Sequence, residues 1–135
     1  MFSIDHKQEL MKILGESGCY FLSILFLAER ISGKKIDPLA TFIECCEKGI
    51  IDKDGTILDA GKVMSTLTGL SFSAKKENAD YKPQQGEFEV LVFNNEKYTH
   101  FVAGDSKGAV ACDPLGHSNT VATGKIIGKR IFYRV

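Results

Sequence analysis

The chain has 135 residues, enough for one domain that buries roughly two-thirds of its unfolded-chain surface. It is 44% hydrophobic and 25% charged, the balance of a soluble globular domain, and its 17 basic and 17 acidic residues cancel. That neutrality excludes a bulk electrostatic pull toward nucleic acid or an anionic membrane. No run approaches membrane-spanning length: the longest apolar stretch, Cys19 to Ala28, is broken by Ser23 and ended by Glu29-Arg30.

The opening MFSIDHKQELMKILGES lacks a basic start followed by an apolar core, so the cytoplasm is the expected compartment. Cys19, Cys45, Cys46 and Cys112 agree with that, because they form neither a C-x-x-C pair nor a disulfide framework.

The first half reads as helices. Asp5 is placed to cap a short one, with Gln8 three residues on as its capping-box partner. Ser17 or Gly18 starts an apolar helix running to about Ile31, and Gly33 stands where it should end. That helix is apolar almost all round (Tyr20, Phe21, Leu22, then Ile24 to Ala28), which puts it at the centre of the fold. Asp37-Pro38 gives an N-cap and a proline in the first helical position. Behind it Leu39, Phe42, Ile43 and Cys46 recur at i, i+3, i+4 and i+7 before Gly49 closes the helix. Cys45 and Cys46 fall on different faces, as a small core residue and a boundary residue. Asp52-Lys53-Asp54-Gly55 looks like the start of a calcium loop. With Gly55 at the loop's glycine position, however, Ile50 would stand first and offers no ligand, so the segment reads as a turn. A further helix is expected over about Ile57 to Leu67, stopped at Gly69.

The second half reads as strands. Phe88 to Phe93 leads through Asn94-Asn95 into Tyr98 to Ala103, and Asp105-Ser106-Lys107-Gly108 turns into Ala109 to Asp113. Lys129 to Val135 ends the chain, and a polar connection from Ser73 to Gly86 has room for one edge strand. Lys125, Lys129, Arg130 and Arg134 read as solvated positions of the last strand rather than as nucleic-acid contacts. One domain over 1–135 is expected, with helices over about 1–70 and strands over about 71–135. The fold class is α+β: N-terminal helices, among them a central buried helix bearing Cys19, packed on a C-terminal antiparallel sheet.

Chemistry enters through the hairpin. With a symmetric turn that sets Asp105 opposite Gly108, counting back along both strands puts His100 directly opposite Asp113. Opposed side chains share a sheet face with Cβ atoms roughly 4.5–5.5 Å apart. An imidazole and a carboxylate at that spacing can hydrogen-bond, fixing the tautomer and orienting the ring. Each has an ordinary reading alone: His100 as a boundary residue, and Asp113 before Pro114 as a strand-ending turn. Cys19 is the third group, since a thiol at a helix start feels the positive end of the macrodipole. Thiolate attack on a carbonyl with imidazole as base and then acid would follow, while a buried structural cysteine is the simpler alternative. A zinc site from Cys19, His100 and Asp113 would lack a placed fourth ligand, since His6 and His117 lie in segments of no fixed position. No motif asks for a cofactor.

The order Cys, His, Asp, with Cys on an early central helix and His and Asp on neighbouring late strands, resembles the papain-like cysteine peptidase superfamily. Ser17-Gly18-Cys19-Tyr20-Phe21 is similar to its small-residue, cysteine, aromatic signature. Thr99-His100-Phe101-Val102 with Ala111-Cys112-Asp113-Pro114 looks like double-glycine leader peptidase domains and small papain-like proteins of bacteria and phages. Ser118-Asn119-Thr120-Val121, Gly124-Lys125-Ile126 and Lys129-Arg130-Ile131 resemble the segment after Asp-Pro in the latter group. The resemblance implies a papain-like fold with Cys19 as nucleophile, His100 as general base and acid, and Asp113 as the orienting residue. The implied activity is that of a cysteine peptidase or amidase acting on a peptide or isopeptide bond of a peptide or protein substrate. An acyl transferase with the same triad is a variant, and an inactive scaffold that binds a peptide or protein is the alternative. The family also places a glutamine about six residues before the nucleophile, where this chain has Ile13. Gln8 is accounted for by capping, so the oxyanion candidates are the Cys19 backbone N–H and Glu16, whose carboxyl would have to be protonated. Neither nucleic acid nor membrane is an expected partner, and the oligomeric state stays open.

Overall fold

The computed structural model describes residues 4–135, except for the side chains of 4–6, 16 and 17. Four helices come first: α1 (Ile4–Ser17), α2 (Cys19–Ser32), α3 (Pro38–Glu47) and α4 (Ala60–Thr68). β1 (Phe72–Glu77), β2 (Phe88–Asn94), β3 (Thr99–Gly104) and β4 (Val110–Cys112) follow, then α5 (Asn119–Thr123) and β5 (Lys125–Arg134). The strands pair antiparallel in the order β1-β5-β2-β3-β4, an α+β arrangement with β1 and β4 at the edges. Among the described residues no single helix is long and apolar enough to cross a membrane.

The helix boundaries follow local chemistry. Asp5 falls within α1, and its side chain lies outside the described residues, as does that of Glu16. Between α1 and α2 only Gly18 fits, because a Cβ there would collide with the Leu14 carbonyl oxygen. Gly33 ends α2 in the left-handed conformation (φ 70°) and donates its N–H to Glu29 O at 2.8 Å. Asp37 caps α3 through Oδ1, which accepts the Ala40 N–H at 2.9 Å, with Pro38 in the first position. α4 starts three residues later than the apolar pattern suggests, since Asp59 is its cap and Ile57 instead bridges to Ile51. The Asp52–Gly55 segment is a turn: Asp52 Oδ1 accepts N–H groups from Asp54 and Thr56, each at 2.9 Å.

α2 lies against one face of the sheet. Its Phe21, Ile24, Leu27 and Ala28 join Phe42, Val63 and Met64 over Phe72, Val90, Ala103 and Phe132. Fully burying a large apolar side chain contributes about 1.5–3 kcal/mol, so this layer dominates the fold's stability. The other face carries a smaller cluster, Leu91, Phe93 and Val102, with Val121 of α5 and Ile126 beside it.

One expectation for β5 is corrected here. Lys129 is not solvated: its Nζ sits 2.9 Å from Glu89 Oε1 with the two side chains 5% and 0% exposed. It also donates to Tyr81 O at 2.8 Å, while Glu89 Oε2 accepts the Gly108 N–H at 3.0 Å. The ion pair thus pins the Tyr81 loop and the Gly108 turn to the sheet. Gly104 makes room for it, since a Cβ there would stand 2.6 Å from Glu89 Cγ.

Candidate active site

Alternation along β3 sends Phe101 to the face covered by α2 and His100 to the opposite face, beside its cross-strand neighbour Phe93. The register with β4 differs from the symmetric one. Ala103 faces Cys112 rather than Val110, because the turn closes as Asp105 N–H to Ala109 O and a bulge follows Ala103. At Ala103 the displacement is two residues, which keeps Cys112 and the following Asp113 on the faces they would have had, whereas at Gly104 it is one. His100 and Asp113 still meet, diagonally, with Nε2 2.7 Å from Oδ1 and the side chains only 6% and 7% exposed.

Asp113 is well held. Burial would raise its carboxyl, but hydrogen bonds from His100, the Leu115 N–H and Ser118 outweigh that and keep it below the usual carboxylate range. Oδ1 receives both the His100 ring and the Leu115 N–H, the latter at 2.9 Å. Ser118 belongs to the same knot, because its Oγ also caps α5 by accepting the Val121 N–H. An ionised carboxylate only accepts, so His100 Nε2 carries the proton and, in the neutral ring, Nδ1 is left as the acceptor.

A lowered carboxyl stabilises the fold above its unfolded value, near 4, and that contribution disappears as pH falls through the folded value. The urea midpoint of the wild type is therefore expected to exceed that of Asp113→Asn at pH 6. The gap should shrink steadily below about pH 4, and a gap constant with pH would refute the assignment.

The start of α2, which bears Cys19, meets β3 along a strand edge. The Asn95 N–H to Tyr98 O bond sets the phase of the β2–β3 ladder, so Phe101 turns its N–H and C=O away from β2. β4 pairs with β3 only at Ala103 and Gly104, leaving that edge free at Phe101. α2 takes the place of the missing strand. Ser23 Oγ lies 3.2 Å from Phe101 O and 2.7 Å from Cys19 O, one proton shared between two carbonyls. Tyr20 stacks on Phe101 with ring centroids 4.4 Å apart and planes 9° from parallel. The first turn of α2 is thus anchored beside the strand that carries His100. Among the described residues, no hydrogen bond joins Cys19 Sγ to the His100 ring.

Cys19 lines a cavity of about 730 Å³ together with Tyr20, Phe101, Arg130 and the 54–61 and 73–76 segments. Its own N–H lies in the first helical turn, where the cap residue, Gly18, offers no side-chain acceptor. Ile13, six residues before Cys19, makes an apolar contact, its Cγ2 lying under Gly55. Glu16, the other oxyanion candidate, lies outside the described side chains. Burial pushes Cys45 up to about 12 and raises Cys46 and Cys112 as well, Cys112 further by its neighbour Asp113. His117 is exposed, and among the described residues no group of three His, Cys, Asp or Glu side chains is placed to hold a metal ion.

Ser23, Ser118 and Arg130 were not singled out by the sequence as parts of a site. Ser118 carried a signal, an N-cap residue three positions before Val121, whereas Ser23 inside an apolar helix carried none.

A family described as a protein of unknown function, DUF261, matches residues 2–134. No curated protein and no solved structure matches the chain.

Proposed function

The chain belongs to the DUF261 family, and for it we propose a papain-like thiol hydrolase, a cysteine peptidase or amidase using Cys19, His100 and Asp113. The observation that carries the reading is the His100 Nε2–Asp113 Oδ1 bond on the strand that anchors the first turn of α2. It commits Nε2 and leaves Nδ1 to take the Cys19 proton. The thiolate then attacks the carbonyl carbon of a peptide or isopeptide bond, and the Cys19 N–H receives the developing oxyanion. The imidazolium returns its proton to the leaving amine, and water hydrolyses the thioester with the same imidazole as base. An amine in place of that water would make the reaction an acyl transfer.

A second reading has its own support. A scaffold that binds a peptide or protein without cleaving it fits the missing hydrogen bond between Cys19 Sγ and the His100 ring and the apolar Ile13 contact. Alkylation separates the two. For the hydrolase, iodoacetamide at near-neutral pH labels Cys19 well before Cys45, Cys46 and Cys112, and His100→Ala slows that labelling. Equally sluggish modification of all four thiols, read by mass spectrometry of tryptic peptides, would leave only the scaffold.

A further inference from the structure

Three cations line the cavity beside Cys19; Lys75 is paired with Glu77 and Glu87, which leaves Lys76 and Arg130 as the two that the triad does not use. Arg130 belongs to β5, an interior strand between β1 and β2, and register places it on the α2 face next to Phe132. That face is apolar at Phe72, Ala74, Phe88, Val90 and Phe132, with Arg134 at its strand end. A charged residue there is a departure from the pattern, and the helices leave it uncovered at the cavity. Its direct cross-strand neighbour is Lys76, which lines the same cavity. Like charges directly opposed on one face repel and destabilise a sheet.

Among the described residues, neither cation has a carboxylate partner. The Arg130 guanidinium lies 5.8 Å from the Phe101 ring centroid and donates Nη1 to Lys129 O at 3.3 Å. Asp54 and Asp59 also line the cavity, but Asp59 Oδ1 is engaged by the Lys62 N–H as the α4 cap, and neither bridges to the pair. Below Arg130 the Phe101 ring stacks on Tyr20, the residue after Cys19. With Nη1 engaged by the Lys129 carbonyl, the guanidinium over this aromatic floor still has Nη2 and Nε for a planar acceptor.

We infer that the Lys76–Arg130 pair receives a carboxylate side chain of the substrate, so that the molecule bound beside Cys19 is an acidic peptide. An anion placed between the two cations turns their repulsion into attraction, and a bidentate Arg–carboxylate bond adds geometric selectivity. The identity of the occupant as a peptide rests on the proposed thiol chemistry, whereas the preference for a carboxylate rests on the cavity alone.

The two can be tested separately. The probes are fluorescent six-residue Ala/Gly peptides with amidated C-termini, carrying one Glu or one Gln at successive positions. Binding is measured by anisotropy to the Cys19→Ala protein, in which no covalent step is possible. The expected result is a Glu peptide bound about tenfold more tightly than its Gln twin at one position or more. That preference should fall in Arg130→Gln, fall in Lys76→Gln, and weaken with added salt. Equal binding of every Glu/Gln pair overturns the inference, as does a Glu preference that survives both substitutions. The Glu peptide is then given to the wild type: binding without thioester or cleavage leaves the carboxylate site standing and removes the hydrolase reading.

Discussion

Alanine at position 113 is expected to slow alkylation of Cys19 by a factor of about 10–30, while asparagine there keeps the rate within about threefold of wild type. The difference lies in a single oxygen. Asp113 Oδ1 accepts from the His100 ring and from the Leu115 N–H at the same time. In Asp113→Asn the Leu115 N–H still selects the amide oxygen for that place, so Nε2–H keeps an acceptor and Nδ1 stays free for the thiol. The amide nitrogen can then turn to the Ser118 hydroxyl, which bonds the wild-type carboxylate. Asp113→Ala removes the acceptor altogether, so both tautomers become available and the ring loses its orientation. Iodoacetamide kinetics on the three proteins read the effect, and the ring-nitrogen chemical shifts of His100 report the tautomer directly. Asn failing as badly as Ala, with the fold intact, would mean that the negative charge rather than the oriented oxygen is what His100 needs. All three proteins reacting alike would mean that the His100–Asp113 bond serves the fold and not the thiol.

What could be read ahead of the structure depended on whether the deciding interaction was local. Caps and stops are local, so Asp37-Pro38 and Gly33 announced the ends of their helices, and both ends stand there. The start of α4 was less legible because Ile57 looks like a helical core residue and is in fact spent on a bridge to Ile51. The meeting of His100 and Asp113 came out of a register wrong by two residues at Ala103. It survived because sheet faces repeat every two residues; a slip of one would have separated the pair. Lys129 and Arg130 show the opposite failure. A lysine and an arginine in a terminal strand look solvated, but their surroundings are set by strands and loops far away in the chain. Glu89, forty residues earlier, and the Tyr81 carbonyl make Lys129 a buried residue. The gap left by the helices makes Arg130 a cavity residue. α5 was invisible for a different reason: five residues are too few for a period, and only the Ser118 cap marks it.

The second large effect concerns that buried pair. Lys129→Met is expected to destabilise the fold by about 3–5 kcal/mol, because it leaves the Glu89 carboxylate buried without its cation. Domains of this size have only about 5–15 kcal/mol in total, so the variant should unfold at much lower urea and partition partly into the insoluble fraction. The informative comparison is the double variant Glu89→Leu with Lys129→Met. Removing both charges also removes their desolvation cost, and replacing a buried ion pair by apolar side chains is often neutral or better. Here the recovery should be incomplete. The Tyr81 carbonyl and the Gly108 N–H each lose a partner supplied by the pair, at about 1–3 kcal/mol for each group that stays dry. The double variant is therefore expected between Lys129→Met and wild type, with faster amide exchange at Gly108 than in wild type. A double variant no better than the single would show that the pair's value lies in holding the Tyr81 loop and the Gly108 turn, not in charge balance. Full recovery would show that those two backbone groups find water when the ions are gone.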